Sequence, residues 1–231
     1  MEYGQIAESS TVNEAIYEYF KYISEKDRQK FVTKFRKQPH EESQVMHTLR
    51  ELILGAYLAS RGLKVDYDRK IDGKTPDWVI LNDESSLGGI VELVNFHADQ
   101  GTEKDIERQL KDPEPEFTIE LPSGPIPVAF YNKKPNNSRL YQCMKEKSDK
   151  YERLAKKYNI PNIVAVFGDI KAGVESEEIH QCLFQDYGGL FTECPALDGI
   201  LFFKESAGTY DFEFIRNPSS MTTIQIPDGS L

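Results

Sequence analysis

The segment "GKTPDWVI" at residues 73–80 decides how the rest of the sequence is interpreted. Its composition is typical of a β-strand, yet it contains Pro76 and Asp77, so a carboxylate stands at the start of an otherwise apolar strand. The next apolar segment, "GGIVELVNF" at residues 88–96, carries Glu92 within a run of Ile, Val and Leu. Burying a charge is costly unless a partner compensates it, so both acids require an explanation.

Hydrophobic periodicity predicts the elements around these two strands. Apolar positions that recur every three or four residues indicate helices, and apolar runs or alternation indicate strands. The predicted elements are one or two helices in 12–38, a helix at 41–60, a half-exposed strand at 63–71, the two acidic strands, a helix at 138–158, a buried strand at 161–170, a helix at 175–184 and a terminal antiparallel pair at 197–205 and 210–218.

This alternation predicts an α/β fold with a mixed central sheet flanked by helices. The strand at residues 88–96 is apolar on nearly both faces, as expected of a central buried strand. A break at Gln38-Pro39-His40 divides an N-terminal helical extension, residues 1–40, from the main domain, residues 41–231.

The segment between residues 98 and 137 is less regular. It contains five prolines between residues 113 and 127 and one plausible strand, "VAFYN" at residues 128–132. We interpret it as a long connection that forms a hairpin, a flap, a dimer contact or a plain loop.

The bulk composition excludes several classes of protein. The chain has 231 residues, of which 39% are hydrophobic and 29% charged, and its mean hydropathy is −0.54. No stretch has the length and apolarity needed to cross a bilayer, and the N-terminal residues lack the pattern of a secretory signal. Three widely separated cysteines are typical of free thiols in a reducing compartment. We therefore expect a cytoplasmic protein without a membrane partner.

The net charge of −10 argues against a surface that coats nucleic acid nonspecifically, because such a surface is basic. It leaves room for an enzyme that acts on nucleic acid through a local basic strip.

The two acids have the chemistry of a metal site. Strand periodicity puts Glu92, Val94 and Phe96 on one face, and Asp77 lies near the start of the adjacent strand. Carboxylates on neighbouring strands suit Mg²⁺, which also keeps several waters. The alternative is that Glu92 pairs with a buried Lys or Arg and that Asp77 caps the turn after Pro76.

The order of these motifs resembles the PD-(D/E)XK nuclease superfamily. The resemblance rests on Glu51 in the preceding helix, on Pro76-Asp77 and on Glu92 in "VELV", and it extends over about residues 45–217, where the segments are similar to a bacterial group of that superfamily. It implies a restriction-endonuclease-like fold. Members of the superfamily carry a lysine two residues after the second acid, but here that position is Val94.

A later helix offers a replacement for the missing lysine. Lys147 occupies a position on the core-facing stripe of the helix at 138–158, where a cation is expensive unless its ammonium meets carboxylates. Glu92 is the expected partner, and Lys150, one residue from the stripe, is the second candidate. The alternative for Lys147 is a stem lying on apolar surface with its ammonium in water. The stripe consists of Leu140, Met144, Tyr151, Leu154 and Tyr158.

The resemblance implies metal-dependent hydrolysis of a phosphodiester in nucleic acid, with DNA as the expected substrate and a role in restriction or defence. Asp77 and Glu92 would hold Mg²⁺ or Mn²⁺, with the backbone carbonyl of Leu93 as a further ligand, and Glu51 would bind a metal-bound water or a second metal. Lys147 would stabilise charge at the scissile phosphate.

Other residues are weaker candidates. His47 shares a helix face with Glu51 and is a candidate substrate contact, whereas Gly55, one turn further on, is expected to let the strands approach the helix. The basic residues Lys133, Lys134 and Arg139 could grip a nucleic-acid backbone, although a solvated surface is the commoner reason for such a group.

Two other hypotheses compete with a nuclease. The first is a catalytically inactive binding or assembly module, which Val94 favours. The second is a purely structural α/β protein in which Lys147 and Glu92 form an internal ion pair. A homodimer is also compatible with the resemblance, because many such nucleases pair to cut two strands.

Overall fold

The computed structural model describes residues 6–37, 40–96, 118–121, 124–127, 136–169, 174–222 and 224–231, and within them the chain has a mixed α/β fold. Its helices are α1 (Ser10–Phe20), α2 (Glu25–Lys37), α3 (Glu42–Ser60), α4 (Asn136–Tyr158), α5 (Ser176–Phe184) and α6 (Leu190–Glu193), with a 3-10 helix at Asp186–Gly188. Its strands are β1 (Lys64–Tyr67), β2 (Trp78–Leu81), β3 (Leu87–Phe96), β4 (Thr118–Leu121), β5 (Gly124–Pro127), β6 (Asn162–Gly168), β7 (Gly199–Ser206), β8 (Thr209–Arg216) and β9 (Gly229–Ser230).

Seven strands form one sheet in the order β1-β2-β3-β6-β7-β8-β9. The middle strands β3, β6 and β7 run parallel, and the pairings outside them are antiparallel. The helix α4 connects β3 to β6, as the alternation of elements predicts. The predicted mixed sheet is confirmed, and β3 is a central strand buried over most of its length.

Helices cover both faces of this sheet because alternate side chains of each central strand point to opposite sides. Val91 and Leu93 pack in a core with α1, α2 and α3. Val94 and Phe96 pack in a second core with α4, α5 and α6. A buried residue of β3 therefore faces either α3 or α4, according to its position.

The helix α3 lies close to β2 at Gly55. A Cβ at that position would lie 1.8 Å from the Trp78 ring, and the indole N–H of Trp78 donates a hydrogen bond of 2.8 Å to the backbone oxygen of Glu51. The glycine therefore leaves the room that the sequence predicted, and Trp78 is a fully buried core residue.

The N-terminal helices share the main core. The ring of Phe31 in α2 stacks on Tyr67 with a centroid distance of 4.0 Å and lies 6.0 Å from Trp78. Phe20 of α1 and Phe35 of α2 are buried in the same cluster. The predicted boundary at residue 40 thus separates helices that contribute to one hydrophobic core.

One predicted strand is shorter than expected. The strand predicted at 63–71 ends at Tyr67, because Asp68 adopts a left-handed backbone with a φ of 49° that interrupts the extended conformation. Asp72 and Gly73, with φ of 49° and 82°, form a turn further on. Residues 68–76 are consequently a loop between β1 and β2.

The proline-rich segment contains a two-stranded antiparallel hairpin, in which Ile119 of β4 is paired with Ile126 of β5. A hairpin was one of its predicted forms. The predicted strand at residues 128–132 lies outside the described residues. No helix within the described ranges is both long and apolar enough to cross a membrane.

Candidate active site

The antiparallel pairing of β2 and β3 brings the two predicted acids together. Trp78 is opposite Val91. Because the strands are antiparallel, Asp77, which comes just before Trp78, lies beside Glu92, which comes just after Val91. The backbone N–H of Leu93 donates to Asp77 Oδ2 at 2.7 Å, and the backbone N–H of Asp77 donates to Glu92 Oε2 at 3.3 Å. The two carboxylates are thereby fixed side by side.

Glu92 is 1% exposed and faces α4. The ammonium of Lys147 donates to its Oε1 at 2.8 Å, and the ammonium of Lys150 donates to the same oxygen at 2.6 Å. Residues three apart lie on one face of a helix, so both lysines reach the acid. Both of the lysines proposed from the sequence therefore contact Glu92.

Glu51 belongs to α3, on the other face of the sheet, and it is also 1% exposed. Its carboxylate accepts hydrogen bonds from Lys34 at 2.7 Å, from His47 Nε2 at 3.0 Å and from the Tyr67 hydroxyl. Burial raises the pKa of Glu51, but the hydrogen bond from His47 and the charge of Lys34 outweigh it and hold the pKa below its usual value. Glu51 is a well-compensated anion.

His47 connects Glu51 to the sheet. Its Nδ1 lies within hydrogen-bonding distance of the Asn95 amide, while its Nε2 faces Glu51. It also lines a cleft of about 450 Å³, together with Cys143 and Lys147. Asn95 thus contacts His47, and His47 lies between Glu51 and the open cleft.

Asp77 has an excess of negative charge around it. Burial, Glu92 and Glu51 raise the pKa of its carboxyl to about 7, and the Leu93 N–H bond and Lys147 oppose that rise only in part. Glu51 is therefore close enough to act on Asp77 electrostatically, although its hydrogen bonds go to other residues. A cation beside Asp77 would relieve this repulsion.

Two members of the site were missed by the sequence analysis. Asp68 is half-buried, its backbone N–H donates to the carbonyl of Asp77 at 3.1 Å, and burial raises its pKa. Lys34, which binds Glu51, follows the buried Phe31 by three residues on α2. Lys34, like Lys147, is a lysine beside the apolar stripe of its helix, so the same pattern predicts a buried partner for it. The alternation of apolar and charged residues instead predicts Asp68 as an exposed residue of a longer strand.

Of the other residues predicted to contact nucleic acid, the structure describes only Arg139. Lys133 and Lys134 are outside the described residues. Arg139 lies over the Phe96 ring with a distance of 5.0 Å to its centroid. Phe96 is four residues beyond Glu92, about 13 Å along the strand. The basic group predicted at residues 133–139 is therefore represented only by Arg139, at the far end of β3.

The donors present suit a magnesium ion. Asp77 and Glu92 supply two hard carboxylates, and Mg²⁺ in proteins is often bound by one or two carboxylates and several waters. The charge excess at Asp77 favours a cation there. In the described part of the chain, however, no three His, Cys, Asp or Glu side chains are arranged to hold a metal, so Glu51 and Asp68 do not complete a ligand cage.

The site is therefore defined by its geometry alone. The buried Glu92 accepts from two lysines of α4 beside the half-buried Asp77 on one face of the sheet, and Glu51 lies on the other face. No protein-family model, no curated protein and no solved structure matches this chain.

Proposed function

We propose that the protein is a metal-dependent nuclease with a restriction-endonuclease-like fold that hydrolyses phosphodiester bonds in nucleic acid. The observation that carries this proposal is the contact of the buried Glu92 with Lys147 and Lys150 beside Asp77. It supplies both charges that phosphoryl chemistry requires, namely acids for a metal and a cation for the phosphate.

Each residue has a distinct part in this proposal. Asp77 and Glu92 would hold Mg²⁺ or Mn²⁺, with the backbone carbonyl of Leu93 as a further ligand. The metal, when bound, offsets phosphate charge and lowers the pKa of a bound water. Lys147, at 2.8 Å from Glu92, would donate to a non-bridging oxygen of the scissile phosphate, where negative charge increases in the transition state.

Glu51 would act from behind the two metal-binding acids. Its negative charge already reaches Asp77, and its own carboxylate is held by Lys34, His47 and Tyr67. His47 lines the cleft beside Lys147, so it is the group of this set that can meet substrate. In this proposal Glu51 orients His47 and any water that it contacts.

A second candidate function is an inactive module that binds or assembles with another macromolecule. The observation that favours it is that Lys147 and Lys150 both donate to Glu92 Oε1 and form an ion cluster complete without a metal. Val94 in the usual place of the lysine points the same way. In this case Glu92 and its lysines only stabilise the fold.

Calorimetric titration with Mg²⁺ and Mn²⁺ separates the two functions. The wild-type protein is expected to bind one or two ions, and Asp77→Asn and Glu92→Gln are each expected to abolish binding. Glu152→Gln is the matched control. Glu152 is an acid of α4, the helix that carries Lys147, but it pairs with Lys156 and does not belong to the site. Its titration should equal that of the wild type.

Cleavage is then measured on supercoiled plasmid, single-stranded DNA and RNA. We expect metal-dependent cleavage by the wild type and by Glu152→Gln, and at least a 100-fold loss in Asp77→Asn and Glu92→Gln. Absence of metal binding by the wild type would refute the nuclease. Metal binding without cleavage of any of the three substrates would support the inactive module.

A further inference from the structure

The loop between β1 and β2, residues 68–76, has the sequence "DRKIDGKTP" and leads directly into Asp77. It carries three cations, Arg69, Lys70 and Lys74, in a chain whose net charge is −10. Lys70 and Lys74 are exposed and Arg69 is half-exposed. The loop also holds Asp68, which is half-buried, and Asp72, which pairs with Lys157, so its basic character comes from Arg69, Lys70 and Lys74.

The loop has a defined internal structure. Ile71 is buried in a small cluster with Tyr151 and Leu154 of α4. The backbones of Ile71 and Lys74 exchange hydrogen bonds of 2.8 and 2.9 Å around the Asp72-Gly73 turn. An apolar anchor and a closed turn restrict the conformations of this surface loop.

Four further contacts attach the loop to α4. The Tyr151 hydroxyl donates to the Thr75 carbonyl at 2.9 Å. Asp72 accepts from Lys157 and, at 3.1 Å, from the Tyr158 hydroxyl. The ammonium of Lys74 donates to the backbone carbonyl of Lys150. The loop and the helix that carries the site lysines are thus one unit.

This arrangement brings like charges together. The ammoniums of Lys74 and Lys150 lie 5.5 and 4.8 Å from the centroid of the Tyr151 ring, and the Lys150 side chain is 46% exposed. The contacts that hold the loop involve Ile71, Asp72, Lys74 and Thr75, but not Arg69 or Lys70. Exposed cations on a loop of defined structure suit a polyanionic partner.

We propose that residues 69–74 and the neighbouring face of α4 bind the phosphodiester backbone of a nucleic acid on the Glu92 side of the site. This rests on the proposed function for the class of substrate. Because the loop is continuous with Pro76-Asp77 and is fixed to α4, a backbone held on it lies beside Glu92 and Lys147. The nucleic-acid strand bound on this surface is the one whose phosphate meets Asp77 and Glu92.

Binding is tested without a divalent cation, so that cleavage does not interfere. Fluorescence anisotropy with labelled duplex DNA, single-stranded DNA and RNA gives the affinity at several salt concentrations. The test variant carries Arg69→Gln, Lys70→Gln and Lys74→Gln, which retain Ile71, Asp72 and Thr75. The control carries Lys21→Gln, Lys64→Gln and Lys204→Gln, which change the net charge equally on two exposed lysines and one half-exposed lysine that pair elsewhere.

We expect the test variant to bind at least tenfold more weakly at low salt. The slope of log affinity against log salt should fall in magnitude by about two to three, because each lost phosphate contact removes about 0.7 to 0.9. The control should change the slope by less than one. The probe that the wild type binds most tightly, whether duplex DNA, single-stranded DNA or RNA, identifies the nucleic acid that this surface recognises.

Equal affinities and slopes of the test and control variants would overturn the proposal, and so would a wild type that binds none of the three. Thermal unfolding checks that both variants fold. Binding that depends on the loop, without cleavage of any substrate, would support the binding surface and refute the nuclease. Metal-dependent cleavage, with binding that does not depend on the loop, would support the nuclease and refute the binding surface.

Discussion

Glu51 and Glu92 occupy opposite faces of the same sheet, and each is buried to the same extent. Each carboxylate accepts from lysine ammoniums of a neighbouring helix, Lys34 of α2 or Lys147 and Lys150 of α4. The difference is in what surrounds them. Glu51 also accepts from His47 and Tyr67 and has a pKa lowered below its usual value, whereas Glu92 has a second acid beside it, Asp77, whose pKa is raised to about 7.

The difference separates two uses of a buried acid. The Glu51 side has donors enough for its charge, so ionised Glu51 stabilises the folded chain. On the Asp77–Glu92 side, burial and the charges of Glu92 and Glu51 raise the pKa of Asp77, so the fold is less stable when Asp77 is ionised. A cation bound there would recover that free energy. In the proposed function the α4 side binds the metal and substrate, and the α3 side contributes to the stability of the fold.

The largest effect is expected from the lysines on the α4 side. Lys147→Gln should reduce cleavage about 10²–10³-fold, which is typical for loss of one donor to the developing charge. Lys150→Gln should reduce it only about tenfold, because Lys147, and not Lys150, is among the main charges acting on Asp77. Single-turnover cleavage rates at saturating Mg²⁺ measure both. Equal losses, or none for Lys147→Gln, would remove the distinction between the two lysines.

A smaller effect is expected on the α3 side, and it concerns stability. Glu51→Gln leaves Lys34, His47 and Tyr67 without a charged acceptor. Breaking a buried ion pair costs about 3–5 kcal/mol, and since Lys34 is 37% exposed we expect about 2–3 kcal/mol in urea unfolding. Asp77→Asn should cost nothing at pH 8. If Asp77→Asn destabilised the protein as much as Glu51→Gln, the two sides would not differ as described.

The sequence predicts most of the fold because its signals are local. The helix at 138–158, the buried strand at 161–170 and the terminal pair follow from hydrophobic period alone, and each matches an observed element within a few residues. The short 3-10 helix and β9 were not predicted, since neither is long enough to show a period. The strand predicted at 63–71 was too long because alternation does not reveal the left-handed backbone of Asp68.

The site is harder to predict because its partners are distant in sequence. Lys147 could be found, since a lysine in an apolar helical stripe requires a partner. Lys150, one residue from that stripe, could be named only as the second candidate, because its contact with Glu92 depends on the orientation of α4 on the sheet. Likewise, nothing local shows that Glu51 lies on the opposite face from Glu92. Only the order of the strands and helices determines that.

The smallest effect is a difference in the pH dependence of stability. Folded Asp77 keeps its proton up to a pKa of about 7, whereas the unfolded chain loses it near pH 4, so between these values the folded state binds more protons. Asp77 therefore makes stability fall as the pH rises from about 4 to 7, by at most about 1.4 kcal/mol per pH unit. Glu51 has a lowered pKa, so its stabilisation is present above the ordinary glutamate pKa and is lost below it.

Chemical unfolding of wild type and Asp77→Asn at pH 5, 6, 7 and 8 tests this. We expect the wild type to lose stability over that range and the variant to lose less, so that the two curves separate as the pH rises. Mg²⁺ should reduce the slope of the wild type only, because a bound cation keeps Asp77 ionised in the folded state. Parallel curves would show that Asp77 carries no excess charge, and the contrast between the two faces of the sheet would then lack its electrostatic basis.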